Sequence, residues 1–288
     1  MMESMRLLAA PWLLATAGSL EASKVQYVEL SPGQVALAVG LVVLSGAVSL
    51  ALRLGLERRL ALASIRTVVQ LLLIGVVLRW VFRWSNVYIV LGIMLVMTVI
   101  AGLAAVRRTE RRWQGIWFDS VLAIWASSWL IAALALMAIV RVEPWYQPQY
   151  AIPLLGMILG NTLSGISLGL DRLGDELSSH RDEVETLLSL GATRWEAAIG
   201  PMRKAIRTGM LPTINTMMVV GLVSLPGMMT GQLVAGMDAM QAVMYQIVIM
   251  FLIAAGTALG TVGVVLFGYR RLFTADHRFD PQWRRIKN

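Results

Sequence analysis

The stretch Asp182–Pro201, DEVETLLSLGATRWEAAIGP, has residue types suited to binding a partner. Leu187, Leu188 and Leu190, then Trp195, Ala198 and Ile199, form a broken apolar stripe at helical spacing. Glu183 and Glu185 fall on the polar side. Gly191 interrupts the stripe with a turn. Thr193 and Glu196 then make the T-x-x-E pattern of a capping box, so a second helix starts there. A short amphipathic helix of this kind either slots into a groove on a partner or lies on lipid headgroups, and the pattern alone allows both.

A second constellation is Val220–Ile249, where Pro226-Gly227 breaks an apolar run. Helices broken at membrane depth are tolerated only beside protein or a wet cavity, and such breaks point to transport paths. Pro226, Gly227, Met228, Met229 and Gln232 are therefore candidate path residues. Asn161, Asn215 and Gln246 are polar residues in apolar segments, where interhelical hydrogen bonding is the commoner use and path lining the rarer one. Arg66 and Gln70 sit one turn apart on one helix face. Arg66 either snorkels to the headgroups or forms the mouth for an anionic substrate. Methionines, among them Met217, Met218, Met237, Met240, Met244 and Met250, crowd the C-terminal third. Thioethers suit soft Cu(I) and not hard iron, and filling irregular helix contacts is their ordinary role. For a hard cation the oxygen donors available outside the membrane are Glu143 and Asp238.

Much chemistry is absent. Without cysteine there are no disulfides, thiolate metal sites or cysteine nucleophiles. The two histidines, His180 and His277, fall in polar segments, with no Ser/His/Asp or HExxH arrangement around them. No carboxylate falls in mid-membrane, which weighs against a proton- or sodium-coupled carrier and an intramembrane enzyme. A phosphate-cradling loop needs GxxxxGK[ST], and none of Lys24, Lys204 or Lys287 follows a glycine. Any ATP used must therefore be bound by another subunit.

The elements that hold these residues are membrane helices. The chain has 288 residues, 57% hydrophobic and 15% charged, with mean hydropathy +0.69. Seven apolar segments, about 34–52, 61–82, 87–106, 120–140, 151–170, 210–228 and 243–268, each approach the ~20 residues a span requires. Nineteen of the 25 basic residues fall in the 53–59, 107–112 and 171–209 loops and in the tail, against five on the opposite side. This bias predicts an N-terminus outside and a C-terminus in the cytoplasm, and it accounts for the net charge of +8 without nucleic acid. The expected fold is an all-α integral membrane protein of about seven helices, with a cytoplasmic coupling loop, 171–209, between the fifth and sixth. Residues 1–32 form an N-terminal extension, an interfacial helix in preference to a signal peptide. Residues 33–270 form the transmembrane domain and 271–288 a basic cytoplasmic tail. Small residues four apart, Gly156/Gly160, Gly165/Gly169 and Gly256/Gly260, permit close helix approach within one subunit or across a dimer.

Glu185-x5-Gly191-Ala192-Thr193, followed at a distance by Leu211-Pro212, resembles the cytoplasmic loop with which ABC transporter permeases dock on their ATPase. That resemblance carries a docking role to Glu185, Gly191, Ala192 and Thr193, with Arg194 and Glu196 beside them. GLVSLPGMMTGQ at 221–232 and Gly156-Met157-x2-Gly160-Asn161 are similar to the FetB-type permeases, which include iron exporters and plant aluminium-tolerance relatives. The likeness spans about residues 28 to 273. It implies a homodimeric permease of the inner (plasma) membrane, working with two ATPase subunits to export a metal ion, iron first, or a metal-related species. It also implies that ATP and Mg are used by the partner and that this chain binds no cofactor of its own. An ATP-independent channel or carrier and a membrane scaffold are the competing readings.

Overall fold

A bilayer core offers no water to backbone N–H and C=O groups, so long apolar runs must satisfy those groups within a helix. The computed structural model describes residues 31–84, 86–274, 279 and 284–285. The expected extension over residues 1–30 and most of the tail beyond Thr274 lie outside them. The described chain is helical nearly throughout, and it is an all-α integral membrane protein. The long helices are α1 (Pro32–Ala51), α2 (Glu57–Trp84), α3 (Val87–Arg107), α4 (Ile116–Leu134), α5 (Pro148–Ser179), α7 (Arg194–Val219) and α9 (Ala239–Leu272). Two short ones, α6 (Arg181–Ser189) and α8 (Gly227–Val234), sit between them, and α4 ends in a five-residue π turn, Ala135–Ile139.

Six helices among the described residues are long and apolar enough to cross a membrane: α1, α2, α3, α4 with its π turn, α5 and α9. The expected sixth span, 210–228, is where the structure differs. Its residues are divided between α7 and α8. Helix α7 carries Arg203, Lys204 and Arg207 along its middle. It ends where Val220 turns extended and Gly221 takes φ +83. Pro226 has no N–H to give and caps the new helix α8 instead. The expected helix, Gly turn and helix of the 171–209 segment are present, with α5 running on through Ser179 and α7 beginning at Arg194. At ~1.5 Å per residue, α5 is about 48 Å long against a hydrocarbon core of about 30 Å, so its last turns project beyond the core.

The contacts divide the chain into two units, and the division falls within α2 and within α9. The first comprises residues up to Ile74 and Leu225–Gln246. Helix α1 starts with a capping box in which Ser31 and Gln34 satisfy each other's backbone N–H. The turn from α1 to α2 is held by Ser49, whose hydroxyl accepts from Leu56 N–H at 3.1 Å and donates to Glu57 at 3.2 Å. Apolar side chains of this unit, such as Leu37, Leu41, Leu71 and Leu72, lie bare.

The second unit, Gly75–Ser224 with Ile247 onward, holds the packed core. Leu155, Ile158, Ile166, Leu170 and Leu173 of α5 are fully buried among α3, α4, α7 and α9. Small residues let these helices approach closely. A Cβ on Gly165 would stand 2.6 Å from Thr257 and 3.0 Å from the Gly209 carbonyl. One on Gly209 would stand 2.6 Å from the Gly165 carbonyl. Gly256 and Gly260 likewise abut Ile158 and Thr162. Gly165, Gly169, Gly256 and Gly260 therefore serve packing inside the unit, whereas Gly160 faces open space. At these crossings the buried hydroxyls of Thr162, Thr257 and Thr261 have no hydrogen-bond partner.

Candidate functional site

The helical elbow α6–turn–α7 is built from local signals. Arg181 and Glu185 pair across one turn of α6 at 2.7 Å. Gly191 takes φ +92, the left-handed conformation that ends a helix, and a Cβ placed there would meet nothing within 4 Å. Thr193 then caps α7. Its hydroxyl accepts from Glu196 N–H, while its own N–H and hydroxyl donate to the Glu196 carboxylate, each at 2.7 Å. The backbone N–H of Thr193 and then its hydroxyl hold the Glu196 carboxyl below the usual carboxylate range. The predicted capping box is present.

The elbow is anchored on one side and open on the other. Val184 of α6 is buried, Leu188 packs on the core, and Ala197 and Ala198 of α7 are buried. Leu187 and Leu190, which the apolar stripe groups with Leu188, face outward instead, Leu190 being 79% exposed. Ala192 is half-buried, and Glu183, Glu185 and Gly191 are exposed. Two contacts tie the start of α7 to the end of α9. The Arg194 guanidinium donates to the Thr274 carbonyl at 3.3 Å. The Trp195 ring meets Tyr269 edge-on at 5.7 Å, and Tyr269 leads to Phe273 and Phe279.

Around the elbow the charged segments gather at one end of the second unit. Glu110 N–H donates to Asp171, Arg111 donates to the Gly174 carbonyl and pairs with Asp175, and Asp119 pairs with Arg271. Arg111–Arg112 also pairs, as a two-residue antiparallel strand, with Arg284–Arg285. The 107–112 segment, the 171–209 segment and the end of α9 thus share one end, as the charge bias predicts. Asp119 and Glu176 at this end are buried and ion-paired. The sequence carries a trace of the second arrangement: Arg172, Glu176 and His180 are spaced four apart on one face of α5. The remaining member, Lys204, comes from α7 and had no local signal.

The proposed path residues are only partly brought together. Pro226, Gly227, Met228, Met229 and Gln232 share α8 or its cap, and Gln246 lies on α9 in the same unit. The amide oxygens of Gln232 and Gln246 are buried without a hydrogen-bond partner. Arg66 and Gln70 lie exposed on α2, and Asn215 lies exposed on α7. Asn161 donates to the Met157 carbonyl of its own helix at 2.9 Å. Glu143 is exposed in the second unit. Asp238 of the first unit caps α9 by accepting from Gln241 N–H. Among the described residues no three His, Asp or Glu side chains gather as a metal site.

These features define a multi-pass helical membrane protein with an exposed elbow at its charged end. Residues 32–273 match the Uncharacterised protein family UPF0014, and the chain belongs to that family. It is 43% identical over 220 residues to the UPF0014 membrane protein slr1647 of Synechocystis sp. (strain ATCC 27184 / PCC 6803 / Kazusa), covering 76% of this chain and 85% of that protein. It is 31% identical over 243 residues to the Probable iron export permease protein FetB of Escherichia coli (strain K12), covering 84% and 92%. It is 28% identical over 239 residues to the Protein ALUMINUM SENSITIVE 3 of Arabidopsis thaliana, covering 83% and 86%. No solved structure matches the chain.

Proposed function

We propose that this chain is the membrane-spanning permease subunit of an ABC transporter that exports a metal ion, iron first, or a metal-related species. The observation that carries the reading is the elbow. It is fixed to α5, α7 and α9 on its inner side and presents Leu187, Leu190, Glu183 and Glu185 outward. A rigid helix with a bare, partly apolar face is what helix-in-groove docking requires. The permease relative adds the substrate: the E. coli protein is named for iron export. The chain works as a homodimer in the inner membrane, N-terminus outside and C-terminus in the cytoplasm. A separate ATPase subunit binds ATP and Mg and docks at Glu185, Gly191, Ala192, Thr193, Arg194 and Glu196. The unpartnered amide oxygens of Gln232 and Gln246, both in the first unit with the helix break at Pro226, support a polar path there. Oxygen donors of that kind suit a hard cation better than the nearby thioethers do.

The test is co-purification of the tagged protein from its native membrane in mild detergent. The expected result is a stoichiometric P-loop ATPase, lost in Glu185→Arg and Gly191→Pro while membrane insertion persists. A wild-type protein that purifies alone and transports iron(II) in liposomes without ATP would replace this reading with a channel or carrier. Normal ATPase recruitment by both variants would remove the docking role from the elbow.

A further inference from the structure

Helix α6 is joined to α5 through His180 alone and to α7 through the Leu190–Thr193 turn. The two long helices it connects are also tied directly. The Glu176 carboxylate, in the last turn of α5, is 4% exposed. It accepts from the Lys204 ammonium of α7 at 2.9 Å. It also pairs with Arg172 one turn earlier, and the His180 Nδ1 lies 3.4 Å away one turn later. One buried acid thus faces three exposed basic groups, two on its own helix and one on the neighbour. Only the Lys204 contact crosses between helices.

The surroundings give this contact leverage. Farther along the same two helices, Gly165 and Gly209 bring the backbones so close that neither tolerates a Cβ. Glycines and hydroxyls without hydrogen bonds provide contact there but no directional bond. The Glu176–Lys204 pair is a charged bond between α5 and α7 at the base of the elbow. Charge-assisted bonds of this kind are shorter and stronger than neutral ones. A force on α6 can enter α5 and α7 separately through its two ends, or it can move them together.

We infer that the Glu176–Lys204 pair clamps α5 to α7, so that movement of α6 displaces both as one body, and that Glu176 is a positioning residue for coupled transport. The inference rests on the reading of α6 as an ATPase-docking helix and adds the element that conveys its movement. Glu176 itself is buried and stays out of the docking surface.

Substitution at this site leaves the fold a route to survive. In Glu176→Gln the shape is kept, and the basic groups left without a carboxylate are already solvated, Lys204 being 55% exposed. Lys204→Met leaves Glu176 with Arg172 and His180 as neighbours. Lys204→Arg keeps the cross-helix bond and is the conservative control.

The experiment uses the permease co-purified with its ATPase and reconstituted in vesicles, with iron(II) as probe. It reads ATPase stoichiometry, ATP turnover and iron moved per ATP. Glu176→Gln and Lys204→Met are expected to keep the ATPase at wild-type stoichiometry and to lower iron moved per ATP about tenfold, within the usual range of coupling energies. The double variant should lose no more than either single one, because one contact is removed in all three. Lys204→Arg should stay near wild type. Normal iron per ATP in Glu176→Gln, or losses that multiply in the double variant, would overturn the clamp and leave the docking reading standing. If the wild-type protein recruits no ATPase, the docking reading fails first and the clamp falls with it.

Discussion

The charged end of the second unit and the apolar helices of the first differ in how far their side chains are buried. At the charged end nearly every element is tied to another. Glu176 reaches Lys204, Asp119 reaches Arg271, Arg194 reaches Thr274, and Trp195 rests on Tyr269. In α1 and α2 the side chains are as apolar as any in the core, yet nearly all are exposed. Soluble monomers rarely carry apolar patches beyond a few hundred Å². The comparison teaches that this chain completes only one of its regions by itself. In the other the apolar side chains lie bare, and at the charged end Leu187 and Leu190 of the elbow are exposed.

The strongest way to break that contrast is to make one substitution in both regions. Gly209→Leu drives a side chain into the Gly165 carbonyl and Thr261, and it should cost about 1–3 kcal/mol or more, read as a lower Tm in detergent. Gly40→Leu in α1 meets nothing within 4 Å and should leave Tm unchanged or slightly raised. A loss of stability or of dimer from Gly40→Leu would show that a second copy covers α1.

A smaller effect is expected from the elbow's cap. Thr193→Ala removes the hydroxyl that accepts from Glu196 N–H, at a cost of about 1 kcal/mol of local helix stability. Hydrogen exchange at the first turn of α7 should speed up, while exchange in the α5 core stays slow. Equal acceleration in both would mean that the elbow and the core open as one unit.

The smallest effect separates packing from ligation. Met228→Leu with Met229→Leu keeps volume and apolarity, and such swaps usually cost less than about 1.5 kcal/mol. Transport of iron(II) should change little. A selective loss of metal transport with the fold intact would make these thioethers ligands.

Local pattern made several elements legible and hid others. The Thr193 cap, the Gly191 turn and the break at Pro226 are all written in a few adjacent residues, and each is present. The outward face of α6 was less legible. Leu187, Leu188 and Leu190 look alike in a pattern, but only Leu188 meets the core, because the direction of α6 is set by its two neighbours. The bounds of the sixth segment were also less legible, because α7 begins at Arg194, carries Arg203, Lys204 and Arg207 along its middle, and ends at Val219 inside the apolar run.

The sequence by itself determined that the chain lies in a membrane and that its long apolar segments are helical, and it predicted which loops share a side. Those follow from hydropathy, backbone hydrogen bonding without water, and charge bias, all of which act on single segments. Only the tertiary structure decided that Glu176 is buried beside Lys204, that Gly165 meets Gly209, and that the elbow is anchored to α9 through Arg194 and Trp195. Each of these joins residues far apart in the chain, through contacts that exist only once the helices have packed.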